Sequence, residues 1–252
     1  MKRVTLLCGM LLAMTAGVAA AGQGVNIRWN ACLSDGGAIN RNFACNSNNG
    51  SNSITGSFVL EAPLNTTSGN EIVVDLASAS PVLPAWWQFR NAGTCRQSSM
   101  TFNTVISATA LGCFDWANGG ATGGIGAYNI GLRGPNTARM VAASAVPISG
   151  LANLDPGTEY FSFNLIVNNL KSVGSGLCGG CQDAICIVFN SINLTTPIAT
   201  NNRKLVGPSN GFDTDFVTWQ GGGGVVVGGV PGCGAATPTK NSTWGAVKSL
   251  YR

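Results

Sequence analysis

The spacing Cys178-Gly179-Gly180-Cys181 is that of a redox pair or of half a zinc knuckle. A redox pair wants a cysteine at the N-terminus of a helix in an α/β fold, and the surrounding residues read as a β-hairpin. A zinc site wants a second pair at matching spacing, or histidine, and the chain contains no histidine. Cys32, Cys45, Cys95, Cys113, Cys178, Cys181, Cys186 and Cys233 are therefore read as structural disulfides, with no metal and no cofactor. Proximity along the chain pairs Cys32 with Cys45 and Cys95 with Cys113. Two further bonds then fall among the remaining four cysteines.

The carboxylates offer the next chemistry. Hydrolysis of a glycoside needs two of them flanking one bond, roughly 5–10 Å apart. Glu71 and Asp75 share one strand face but stand about 13 Å apart at strand rise, too far for that reaction without help from another strand. Asp213 and Asp215, with Asn210, offer oxygen ligands for calcium, but no EF-hand spacing follows, and a solvated turn is the simpler reading. No G-x-S-x-G occurs, and without histidine a serine nucleophile lacks its usual base. Neither Gly221–Gly224 nor the 119–124 run has the lysine and helix of a phosphate loop. The chain reads as a binding or structural protein sooner than an enzyme.

Tryptophan is the best sign of binding. Trp86 and Trp87 adjoin between Pro84 and Phe89, and neighbours in a strand point to opposite faces, so one of the pair is expected in the core and the other in solvent. An exposed indole is a flat apolar platform on which sugar rings stack, and Arg90 can add polar contacts beside it. Trp116, in the loop Asp115-Trp116-Ala117-Asn118, is a second candidate. The opposing view is that these rings fill the core, as Trp29 and Trp219 are expected to do.

These residues need a scaffold, and the pattern supplies a β one. Alternating or β-branched runs at 25–30, 54–62, 71–77, 101–108, 137–146, 159–170, 184–196 and 213–220 read as strands, separated by Gly, Pro, Asn and Ser clusters. That spacing predicts an all-β, antiparallel β-sandwich, immunoglobulin-like or jelly roll, with disulfide-bonded loops and a short C-terminal helix. Residues 1–21 carry Lys2 and Arg3, an apolar stretch and a closing Ala19-Ala20-Ala21, the layout of a secretory signal peptide. Residues 22–53 read as a disulfide-bonded N-terminal extension, 54–220 as the sandwich, 221–236 as a Gly-rich loop and 237–252 as a short helical tail. Trp244, Val247 and Tyr251 fall on one face of that tail. A formal net charge of +4, part of it in the leader, is too small to imply nucleic acid. No second apolar run is long enough to span a membrane after signal cleavage.

Two resemblances add to this. Leu154-Asp155-Pro156-Gly157-Thr158-Glu159-Tyr160 resembles the tyrosine corner of fibronectin type III and immunoglobulin-like sandwiches. The resemblance implies that the Tyr160 hydroxyl bonds back to upstream backbone above Leu154, and it carries no function. The block Asn26-Ile27-Arg28-Trp29-Asn30-Ala31-Cys32 and the closing Trp244–Arg252 resemble uncharacterised secreted proteins of environmental bacteria, a group that implies no activity. The expectation is an exported, non-catalytic binding or structural protein of the cell surface or extracellular space. Its first partner to test is a polysaccharide or cell-envelope component. The rivals are a polysaccharide hydrolase with paired carboxylates and a subunit of a surface layer or filament.

Overall fold

Strands form where apolar and polar side chains alternate. Ile72, Val74 and Leu76 are buried while Glu71 between them and solvent is exposed, the two-residue period of a half-buried strand. A computed structural model describes residues 23–207 and 214–222. The leader, the Gly-rich residues from 223 onward, Asp213, Cys233 and the C-terminal tail, including the expected helix, lie outside the described residues.

The strands are β1 (Gly24–Trp29), β2 (Asn40–Arg41), β3 (Ser51–Val59), β4 (Leu64–Thr67), β5 (Gly69–Ser78), β6 (Met100–Asn103) and β7 (Phe114–Asp115). They continue with β8 (Thr122–Ile130), β9 (Thr137–Ala145), β10 (Ala152–Leu154), β11 (Glu159–Asn168), β12 (Ile185–Thr195), β13 (Arg203–Val206) and β14 (Phe216–Trp219). The first sheet runs β1-β3-β11-β6, with β7 beside β11. The second runs β2-β14-β12-β5-β9-β8, with β13 on β12, and β4 pairs with β10 in a small ribbon. Every pairing is antiparallel except β7 with β11 and β2 with β14. The result is an all-β, antiparallel β-sandwich whose loops are joined by disulfides.

One core fills the space between the sheets. Val25, Ile27, Trp29, Ile54, Phe58, Phe163, Leu165 and Val167 come from the first sheet, and Ile72, Val74, Leu76, Met140, Ile187, Phe189 and Val217 from the second. Gly56 faces Phe163 across the β3–β11 ladder, and a Cβ there would run into the ring. Glycine is thus what lets that aromatic lie flat on the strand. A bulge between Phe161 and Phe163 lets both rings be buried, one on each face of β11.

Before β11 the chain leaves the β4–β10 ribbon at Leu154, which is buried. The Asp155 N–H donates to the Tyr160 hydroxyl at 2.9 Å, and Gly157 N–H donates to Leu60 O at 3.0 Å. These bonds fix the corner that delivers Glu159 to the start of β11.

Three features depart from expectation. The segment read as a separate extension supplies β1, β2 and the start of β3, and Val25, Ile27 and Trp29 are wholly buried, so it belongs to the sandwich. The 119–124 glycine run leads into β8, a nine-residue edge strand. The strand expected over 101–108 stops at Asn103, and its remainder becomes a wall of the groove described below.

The disulfides also differ from proximity. Cys32 pairs with Cys113, Cys45 with Cys181, and Cys95 with Cys178, at sequence separations of 81, 136 and 83. The sandwich topology, not chain distance, decides which loops meet. Cys178 and Cys181 therefore serve two separate bonds, and Cys186, buried on β12, is also disulfide-bonded.

A polar groove as candidate functional site

The tryptophans do not form a platform. Pro84 opens a 3-10 turn over Ala85–Trp87 in place of a strand, so Trp86 and Trp87 do not alternate between core and solvent. Both are wholly buried, with ring centroids 5.0 Å apart, and Trp86 stacks on Trp219 at 5.2 Å. Trp86 Nε1 donates to Ser172 Oγ at 3.0 Å, whereas the buried Trp87 Nε1 has no hydrogen-bond partner among the described residues. Trp116 is also buried. Arg90 is exposed, but it lies along β8, where it donates to Ile125 O at 3.5 Å and lines a small recess of about 150 Å³. The four expected ligand-binding residues share no accessible surface, and the platform reading of Trp86, Trp87 and Trp116 is corrected by their burial.

Arg96 explains part of this end of the core. Its guanidinium carbon sits 3.5 Å from the Trp86 ring centroid, and it donates to Trp86 O at 2.8 Å and to Asn168 O. Burial lowers its pKa to about 9, so it keeps its charge at neutral pH, neutralised by carbonyls and an aromatic face.

The carboxylates are mostly committed to structure. Asp75 is buried on the outer face of the second sheet, held by Arg139 through bonds of 2.7 and 2.6 Å and by Asn190 at 3.0 Å. That hydrogen bond holds the Arg139 pKa above its ordinary value. Asp115 accepts from the N–H groups of Ala117 and Gly119 at 2.9 and 2.6 Å, closing the Trp116 loop. The calcium reading of Asp213 and Asp215 falls partly outside the described residues, and Asp215 is buried.

An open site lies elsewhere, on the outer face of the first sheet. Loops 31–37 and 104–113 cross that face and are tied together by Cys32–Cys113. Glu159, buried at the head of β11, accepts from Leu33 N at 3.1 Å, Ser34 N at 2.9 Å, Ser34 Oγ and Ser57 Oγ. It thereby pins the first loop to the sheet. Asp35 Oδ1 accepts from the N–H groups of Leu111 and Gly112 at 2.9 and 2.7 Å, which pins the second loop to the first. Phe161, Cys32 and Cys113 form a small apolar cluster beneath, with Ile106 and Ala110 against it.

These supports enclose a groove of about 470 Å³, a volume within the range of small-ligand sites. Its floor is Ser53, Thr55 and Asn164, where Thr55 Oγ1 donates to Asn164 Oδ1 at 2.7 Å. Asn30, Ser107 and Thr109 add neutral hydrogen-bonding groups, and Ile106, Ala110 and Leu111 supply apolar contact. Asp35 is the only charged residue in the lining. Leu111 is 88% exposed, and Phe114, next to Cys113, is 60% exposed. Phe114 is the one exposed aromatic among the described residues. Neither it nor the floor stands out in the sequence, because Ser, Thr and Asn residues on four separate segments carry no local pattern.

The cysteine and acid side chains here do not make a metal centre. Cys32, Asp35 and Cys113 cluster closely enough to suggest one, but both sulfurs are joined to each other and have no thiolate to offer. At the far edge of the sandwich, the carbonyls of Ala121, just before β8, and of Ile125 and Tyr128 within it accept from the side chains of Thr104, Arg90 and Asn91. Those caps occupy backbone acceptors that pairing with another copy would need. Among the described residues no helix is long and apolar enough to cross a membrane, and the three disulfides fit an oxidising compartment. No family model, curated protein or solved structure matches the chain.

Proposed function

We propose that this chain is an exported, non-catalytic binding module whose outer-face groove takes a non-acidic stretch of a glycan. The observation that carries this reading is the groove itself: about 470 Å³, with rigid disulfide-clamped walls and a lining dominated by neutral hydroxyl and amide groups. Hydroxyl-rich ligands want such donors and acceptors, with apolar side chains for the C–H faces of the rings. Ile106, Ala110 and Leu111 supply the apolar part. The lack of lysine or arginine in the lining disfavours phosphate and carboxylate ligands. The leader-like residues 1–21 and the disulfides support export.

The test is depletion of the oxidised protein by a panel of insoluble polysaccharides and cell-wall preparations. Leu111→Ala, checked for unchanged melting, runs beside it. Retention of the wild type, weakened about tenfold in the variant (~1.4 kcal/mol), is the expected result. No retention on any matrix, or retention that the variant leaves untouched, would remove the groove reading.

A further inference from the structure

We infer that the groove prefers a glycan bearing protonated amino groups, a partly deacetylated hexosamine polymer, and that Asp35 sets this preference. The inference rests on the glycan reading and narrows its ligand class. Asp35 Oδ1 is occupied by the Leu111 and Gly112 N–H groups. Among the described residues its second oxygen has one hydrogen-bond-range contact, the Cys113 sulfur at 3.7 Å, and that sulfur is in a disulfide and has no hydrogen to donate. One carboxylate oxygen of this groove-lining residue is therefore left without a described donor. No cation lines the groove to neutralise it, and Glu159 lies just behind Ser34, adding a second negative charge on the same side.

An ammonium group satisfies that oxygen, whereas a hydroxyl satisfies it less strongly and an acidic sugar repels it. A lysine-bearing peptide would offer the same cation but fits less well. The groove floor is a sheet face, where the backbone groups of Thr55 and Asn164 already belong to the ladder, and it offers no free strand edge to an extended peptide. The whole chain carries a formal charge of +4, so indiscriminate attraction to a polycation is not the default.

The experiment compares binding of the oxidised protein to poly-N-acetylglucosamine and to its deacetylated form, at a mildly acidic pH that keeps the polymer amines protonated, and at low and high salt. Wild type should bind the deacetylated polymer about tenfold more tightly at low salt, with the difference shrinking at high salt. Asp35→Asn keeps an oxygen for the Leu111 and Gly112 N–H groups. It should bind both polymers equally, at the acetylated affinity. Glu71→Gln, which removes an exposed carboxylate from the other sheet, should behave as wild type. Equal wild-type affinity for the two polymers overturns the inference while leaving the glycan reading intact. An equal loss in Glu71→Gln overturns it as general electrostatics. Displacement of the polymer by a lysine-rich peptide of matched charge overturns the sugar assignment. Retention on neither polymer nor any other matrix defeats the underlying reading itself.

Discussion

Two regions of this sandwich spend their side chains in opposite ways. At one end, Trp86, Trp87, Phe89 and Trp219 pack against one another, with the Arg96 guanidinium over the Trp86 and Phe89 rings and every ring wholly buried. On the outer face of the first sheet, Ser, Thr and Asn side chains stand under two clamped loops and leave a groove open. The first region holds the residues that look most like a binding site in one dimension and is core. The second is built from residues with no conspicuous pattern and is accessible. Large rings gain most by leaving water together, whereas small polar groups hold a surface open only when something else keeps the loops above it in place.

That contrast has measurable consequences. Trp86→Ala should cost ~3–5 kcal/mol of stability, because it opens a cavity and strips Arg96 of its aromatic face. Thermal or denaturant unfolding reads this directly, and a loss under 1 kcal/mol would mean the aromatic cluster is not the keystone of its end. Cys32→Ala/Cys113→Ala should cost ~2–4 kcal/mol, less than the tryptophan, and should abolish groove binding even where the remaining protein is folded. Binding that survives in this variant would show that Glu159 and Asp35 suffice to hold the loops.

Tyr128 gives a smaller and pH-dependent effect. Its hydroxyl donates to Trp87 O at 2.7 Å, and burial raises its pKa above the ordinary value near 10. The unfolded chain ionises first, so the contribution is complete below about pH 10 and is lost as the pH rises beyond it. Tyr128→Phe should cost ~1 kcal/mol at neutral pH and flatten the alkaline fall in melting temperature. An alkaline profile identical to wild type would place the loss in another group. Smallest of all, Leu111→Ala should change stability by no more than ~0.5 kcal/mol, since its side chain is exposed. A larger loss would fold that rim into the core side of the comparison.

Much of the scaffold is legible in sequence and much of the groove is not, for physical reasons. Alternation in β5 and β12 reports a two-faced strand wherever one face is dry. The Leu154–Tyr160 corner is visible because its residues are contiguous. β8 is obscured because Gly123, Gly124 and Gly126 erase its pattern, and only pairing with β9 makes it a strand. Trp86 and Trp87 mislead because their exposure depends on a 3-10 turn whose backbone is fixed by the Gly179 carbonyl, far along the chain. The groove draws on Asn30, Ser53, Ile106 and Asn164, four stretches that only tertiary folding brings together.

The long spans of the three disulfides among the described residues bear on how the molecule is made. Cysteines that are neighbours along the chain, such as Cys32 and Cys45 or Cys178 and Cys181, collide most often in an unfolded polypeptide, since short loops close at least entropic cost. None of those neighbours are partners here. Early oxidation therefore favours mispaired bonds, and the native set is reached by thiolate exchange after β3, β11 and β12 have found one another. Recovery of active material should track the supply of a disulfide isomerase more than the strength of the oxidant. The lag between collapse and native pairing is a vulnerable interval in the life of this protein.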